Sequence, residues 1–168
     1  DQGRWLLEKS RKKPHVPRPY KGQDARRRER PPGIAFVPIP VPEAFDEPDR
    51  EAQGRPLSLG ERKEAHTLLG AQLRRGMFRA LVKQRADEKD AAGVRLLVHG
   101  HMHNNEDCRR VQGIWLCFGG GASYAGYGKL GFERRSRVLR IGDWGESIRT
   151  WHLYDHDTQR HVDELELR

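Results

Sequence analysis

Two apolar runs, "GIAFV" at residues 33–37 and "VRLLV" at 94–98, bracket a stretch in which large apolar residues recur every fourth position. That order limits the folds open to the chain. Each run is five residues long and bounded by Gly, Pro or charge, so each reads as a buried strand. Between them Leu69, Leu73, Met77 and Leu81, joined by Phe78, form the stripe of a helix that faces a core. Ser58 with Glu61 three residues later has capping-box spacing, which predicts the helix entry, and Gly93 closes the region. Strand, helix, strand is a crossover unit, so an α/β layered fold is expected. The "PIPVPE" after Val37 lacks the amide donors that a sheet interior needs, so the strand must leave the sheet there.

Further on, "GIWLCFGGG" reads as a strand ending in a Gly turn, and "SRVLRIGDWGESIRTWHLYD" alternates polar and apolar residues on both sides of "GDWG", a hairpin signature. Val138, Leu139 or Ile141, Ile148, Trp151 and Leu153 are expected on its buried face, with Trp144 folded onto the turn. Arg134, Arg135 and Arg137 have the charge to attract anions, but alternating exposed strand positions account for them more simply.

The length of 168 residues fits one domain with a real core. A net charge of +8 is concentrated at one end: residues 1–30 hold 11 Lys/Arg against 4 Asp/Glu, while the rest is close to neutral. Residues 1–32 are therefore read as a basic, Pro-rich arm or connector and 33–168 as the folded part. Arg26, Arg27 and Arg28 are the candidate contacts of that arm with RNA or another polyanion, and Tyr20 its stacking candidate. The first residue is Asp1, not Met, and the start does not resemble a cleavable signal. No apolar run approaches the ~20 residues that span a bilayer. Two cysteines, Cys108 and Cys117, cannot organise a disulfide framework, which favours a reduced, intracellular or organellar setting; one bond closing a hairpin stays open.

"VHGHMHNNEDC", residues 98–108, carries His99, His101 and His103 at every second position behind the second apolar run. Period two places alternate residues on one face of a strand, so these side chains can converge. Three readings compete on stereochemistry: a mononuclear zinc site using His101 and His103 with Cys108 or Asp107, a dinuclear hydrolase site, or a polar turn without metal. The triple glycine Gly119, Gly120 and Gly121 offers backbone amides for a phosphate, or else permits a tight turn.

Residues 98–141 resemble the C-terminal part of calcineurin-like metallophosphoesterases, most closely the purple acid phosphatase-like branch of plants and fungi. The resemblance rests on Gly-His-x-His after an apolar strand, Gly113 to Trp115, Gly119 to Gly121, Tyr127 with Gly128, and Arg134 to Val138. "DQGRWL" and "GIAFVPIPVPE" extend it upstream. It implies a two-layer β-sandwich flanked by helices, of which this chain supplies the C-terminal half. It also implies two divalent ions (Fe, Mn or Zn) that polarise a phosphoester and present a hydroxide, with His101 and His103 each serving a different ion. His99 has no counterpart among those ligands and is expected to be a polar neighbour.

The departures from that pattern matter as much. The bridging Asp, the Asp-x-His pair and the Asn-His of the family are absent from this chain, and Pro38 stands where the family has a metal-binding His. Proline offers no side-chain ligand, and two neutral imidazoles cannot hold two divalent cations. The expectation is a catalytically inactive portion of the domain, a structural or binding subunit of a larger assembly. The alternative is part of an active hydrolase completed by an upstream half or another polypeptide.

Overall fold

The computed structural model describes residues 31–65, 75–87 and 93–167. Both apolar runs are strands: β1 covers Gly33–Val37 and β3 covers Val94–His99. They lie parallel and adjacent, with Val37 opposite His99. Between them come the two-residue β2, Ser58–Leu59, and the helix α1, Arg75–Asp87. The expected helix entry at Ser58 is therefore wrong. Ser58 and Leu59 pair with Arg109 and Cys108 as an exposed edge strand, because a hydroxyl and carboxylate at cap spacing carry no preference strong enough to override a neighbouring strand. Met77, Phe78 and Leu81 are buried as the stripe predicts, whereas Leu69 and Leu73 lie outside the described residues.

A hairpin follows, β4 (Cys108–Val111) and β5 (Ile114–Phe118). Gln112 (φ 48°) and Gly113 (φ 80°) turn it in two residues, the mirror-image turn that matches strand twist. The Asp49 carboxylate accepts both turn amides, at 3.0 and 2.8 Å. The first sheet runs β1-β3-β5-β4-β2, parallel across β1, β3 and β5. A second sheet holds β6 (Arg135–Gly142), β7 (Ser147–Tyr154) and β8 (Val162–Glu166), all antiparallel.

Two cores follow from the two faces of the first sheet. One face packs Leu97, Ile114, Leu116 and Phe118 against Met77, Phe78 and Leu81 of α1 and Val41 and Ala44 around the 3-10 turn Pro42–Phe45. The other packs Leu96, Trp115 and Cys117 against Ile148 and Leu167, with Leu139 and Leu165 at its margin. All five residues of β5 are buried because both of its faces are covered. The fold is thus α/β, mostly sheet, with a helix on one side of a five-stranded layer and a three-stranded layer on the other.

The predicted hairpin exists, but its inward face differs from the expected one. Ile148, Thr150 and His152 are buried and Leu139 joins the core, while Val138, Trp151 and Leu153 are half-buried and Ile141 is exposed. Arg135 and Arg137 share a face with Leu139 and so point inward; Arg135 is buried, not exposed as expected. Trp144 sits in the turn with φ 58°.

Cys108 and Cys117, directly opposite across β4 and β5, form a disulfide. Two cysteines do not make a framework, yet facing positions in a hairpin make a bond by geometry alone. The reduced setting favoured from the cysteine count loses its support here.

Candidate functional site

The parallel strands β1 and β3 deliver their C-terminal ends to one edge of the sheet, the place where α/β sheets put their ligands. His99 is the last residue of β3, and the alternation stops with it. His101 already has a left-handed backbone (φ 72°), so His99, His101 and His103 do not continue one face of a strand. His99 turns into the helix-side core, 1% exposed, its ring edge-on to Phe118 at 4.3 Å. Neither ring nitrogen finds a hydrogen-bond partner among the described residues. Burial, aided by the charges of Arg62 and Arg137, pushes its pKa down to about 3, which leaves the imidazole neutral.

His101 is exposed, and its carbonyl accepts the Tyr127 hydroxyl at 3.1 Å. His103 stacks on the Tyr127 ring at 4.2 Å, with Nδ1 3.0 Å from the Tyr127 carbonyl, and its amide donates to the Tyr127 hydroxyl at 3.1 Å. That hydroxyl also lies 3.0 Å from a Glu64 carboxylate oxygen, so its single proton is shared between Glu64 and the His101 carbonyl. Gly126 and Gly121 make the clamp fit: a Cβ at Gly126 would lie 2.6 Å from the His103 ring, and one at Gly121 2.7 Å from the His103 carbonyl. Nothing in the sequence singled out Tyr127 or Glu64 as the holders of this histidine, since 63 residues separate them.

Pro38 follows β1 directly, and its carbonyl lies 3.7 Å from a Cβ built on Gly100. The position at which the resemblance places a metal-binding His therefore borders the histidine loop. Of the triple glycine, the Gly119 amide donates to the His99 carbonyl at 2.9 Å and the Gly121 carbonyl accepts from Arg135 at 3.2 Å. The space beside Gly120 is taken by the Arg135 side chain, 3.0 Å from a Cβ built there. Arg134 donates to the carbonyls of Tyr127 and Gly126 at 3.0 and 2.9 Å.

The mononuclear zinc reading does not survive. Cys108 is bonded to Cys117, and Asp107 is held by Arg62 at 2.6 Å and Arg109 at 3.1 Å. Asn104 and Asn105 are committed too: Asn105 Oδ1 accepts from the amides of Lys63 and Glu64, and Asn104 donates to Glu64. The "NNED" segment, residues 104–107, is a buried clasp for residues 61–64.

Among the described residues, the group of three side chains close enough to hold an ion lies elsewhere, between the sheets: Glu106, His152 and Asp163, their ligand atoms within 4.8 Å of one another. Two guanidiniums share that space. Arg135 pairs with Glu106 at 2.6 Å, and Arg137 donates to the carbonyls of Glu106 and Phe118 and to Thr150. Two carboxylates beside two guanidiniums are already neutralised, so a divalent cation there would add uncompensated charge. Desolvation raises the Glu106 pKa against the opposing pull of Arg135, lowers that of His152 to about 3 and lowers that of Arg137 to about 10. The trio is a structural ion network. Its sequence signal was parity: Arg135 and Arg137 stand four and two residues before Leu139, on the same face.

The polyanion candidates Arg26, Arg27 and Arg28 lie outside the described residues.

Comparison with known proteins gives this geometry a family context. No family model matches the chain, and no solved structure matches it. Three Arabidopsis thaliana proteins do. The chain is 35% identical over 133 residues to one named probable inactive purple acid phosphatase 29, covering 74% of this chain and 31% of that protein. It is 32% identical over 142 residues to probable inactive purple acid phosphatase 14, covering 79% and 32%. To probable inactive purple acid phosphatase 28 it is 28% identical over 174 residues, covering 99% and 38%. The chain spans about a third of the length of the curated relatives it matches.

Proposed function

The chain is a relative of the plant purple acid phosphatase-like proteins, and from that premise we propose that it is a catalytically inactive portion of a calcineurin-like metallophosphoesterase domain. It acts as a structural or binding subunit of a larger assembly and contributes the C-terminal half of the sandwich. The observation that carries this reading is Pro38 beside Gly100. The sheet edge that supports the histidine loop presents a ring without a donor where the resemblance calls for an imidazole. Neither His101 nor His103 belongs to a group of three ligand-type side chains among the described residues. That donor set does not fit two divalent ions, which require anionic oxygen ligands and fuller coordination. The names of the relatives, each called inactive, support the same reading. The basic arm, residues 1–30 with Arg26, Arg27 and Arg28, is the segment for contact with RNA or another polyanion.

The His103 clamp favours a second reading, part of an active divalent-metal hydrolase completed by an upstream half. A histidine that donates Nδ1–H to a carbonyl keeps Nε2 free, the usual state of an oriented metal ligand. Hydrolysis of an aryl phosphate with manganese, iron or zinc, assayed on this chain together with the upstream half that the second reading requires, separates the two. The expected result is no turnover above the buffer rate; turnover abolished by His103→Ala would establish the hydrolase reading.

A further inference from the structure

Ser58, which caps no helix, lies in the exposed edge strand β2. Of the eight serines and threonines in the chain, it alone has Lys or Arg three residues before it, in "RPLS", Arg55 to Ser58. A basic residue at a fixed distance before a hydroxyl is the kind of charge pattern by which serine kinases select substrates. Arg55 is open to such reading. Its side chain is 74% exposed, and it pairs with Glu51, four residues away, at 2.8 Å. An exposed pair of that kind contributes little, so it does not hold Arg55 back.

The backbone presents the hydroxyl outward. Among the described residues β2 is the terminal strand of the first sheet. The Arg110 amide donates to the Leu57 carbonyl at 2.9 Å, so Leu57 and Arg110 are hydrogen-bonded partners. Ser58 and Arg109, next along the antiparallel ladder, are then a non-hydrogen-bonded pair. Ser58 therefore turns its own amide and carbonyl to the open edge. The same alternation puts the Ser58 and Arg109 side chains on one face at the closest cross-strand approach, about 4.5 Å between Cα atoms.

Arg109 leads from there to the rim. It holds the Asp107 carboxylate at 3.1 Å, and Asp107 holds Arg62 at 2.6 Å. Arg62 belongs to the segment that carries Glu64 to the Tyr127 hydroxyl, beside His103. A charge placed on Ser58 acts on Arg109 first and on this chain of contacts behind it.

We propose that Ser58 is the acceptor of a phosphoryl group from an ATP-dependent serine kinase that reads Arg55, and that Arg109 then holds the phosphate. In that step Ser58 Oγ bonds to the γ-phosphorus of ATP, the bond from that phosphorus to ADP breaks, and the hydroxyl proton passes to the kinase's catalytic carboxylate. The phosphate brings a charge of about −1.5 to −2 and three acceptor oxygens opposite a guanidinium. The site stands whether or not the domain is catalytic.

The test treats the full 168-residue chain with magnesium, ATP and a purified serine kinase selective for arginine three residues before its acceptor. The expected result by mass spectrometry is one phosphate per chain, on Ser58, absent from Ser58→Ala and formed about tenfold or more slowly in Arg55→Ala. Both variants change exposed side chains and should keep the wild-type melting temperature. No phosphate, a phosphate on another residue, or equal rates for wild type and Arg55→Ala overturns the proposal. In the phosphorylated chain, a phosphorus-31 titration should place the second phosphate pKa at least about half a unit below the usual value of about 6. Arg109→Gln should restore that value. A phosphate that titrates at about 6 in the wild-type chain overturns its capture by Arg109, and this measurement decides the point even where Arg109→Gln fails to fold.

Discussion

Two pairs of histidines in this chain have opposite fates. His99 and His152 are buried, neutral and without hydrogen-bond partners among the described residues. His101 and His103 sit at the sheet edge, one exposed and the other clamped on Tyr127. His99 and His101 are two residues apart in sequence and would look equivalent in any spacing argument. What separates them is the end of a strand. β3 stops at His99, and the left-handed backbone of His101 redirects the chain into the loop. Between the layers Glu106 is paired with Arg135; at the rim, no group of three ligand-type side chains among the described residues includes His101 or His103.

The largest way to break this contrast is to attack the buried side. Arg135→Met leaves Glu106 buried without its partner, and should cost about 3 kcal/mol or more in denaturant unfolding. A loss under about 0.5 kcal/mol would place Glu106 in contact with water and undo the reading of a dry network. Next comes the disulfide. Replacing Cys108 and Cys117 by Ala removes the constraint on a loop that separates them by 9 positions, and should cost about 2 to 3 kcal/mol in the chain-entropy picture. Equal stability with and without reductant would contradict it.

The third effect tests the buried state of His99 directly. A histidine of pKa about 3 in the fold and 6.5 in the unfolded chain takes up its proton first in the unfolded state. Its contribution is complete above pH 6.5 and is lost as pH falls from there towards 3. His99→Leu should therefore flatten the acid limb of the stability curve by about 1.4 kcal/mol per pH unit between about pH 4 and 6. Identical slopes for wild type and His99→Leu would mean that His99 is not held neutral by burial.

Much of this fold could be read in advance where apolar periodicity was strong. The strands at Gly33–Val37 and Val94–His99, the buried Met77, Phe78 and Leu81, and the β6–β7 hairpin all follow from it. The misreadings occur where polar residues do core work. Arg135 and Arg137 look like a solvated strand face, Asp107 looks like a candidate zinc ligand, and Ser58 looks like a helix cap. Each is placed by partners distant in sequence, such as Arg62 for Asp107 across 45 residues. The candidate site was legible in part: His101, His103 and Pro38 do come from adjoining strand ends, but Tyr127 was marked only as a step of the resemblance, with no sign that it holds His103, and Glu64 was not marked at all.

The central claim is that the sheet edge at Pro38 no longer supports a metal pair, and metal binding tests it most directly. After equilibrium dialysis of the full chain against zinc, manganese or ferrous ion, elemental analysis should find well under one tightly held ion per chain, with no change on His101→Ala or His103→Ala. Two ions per chain, both lost in those variants, would contradict the account.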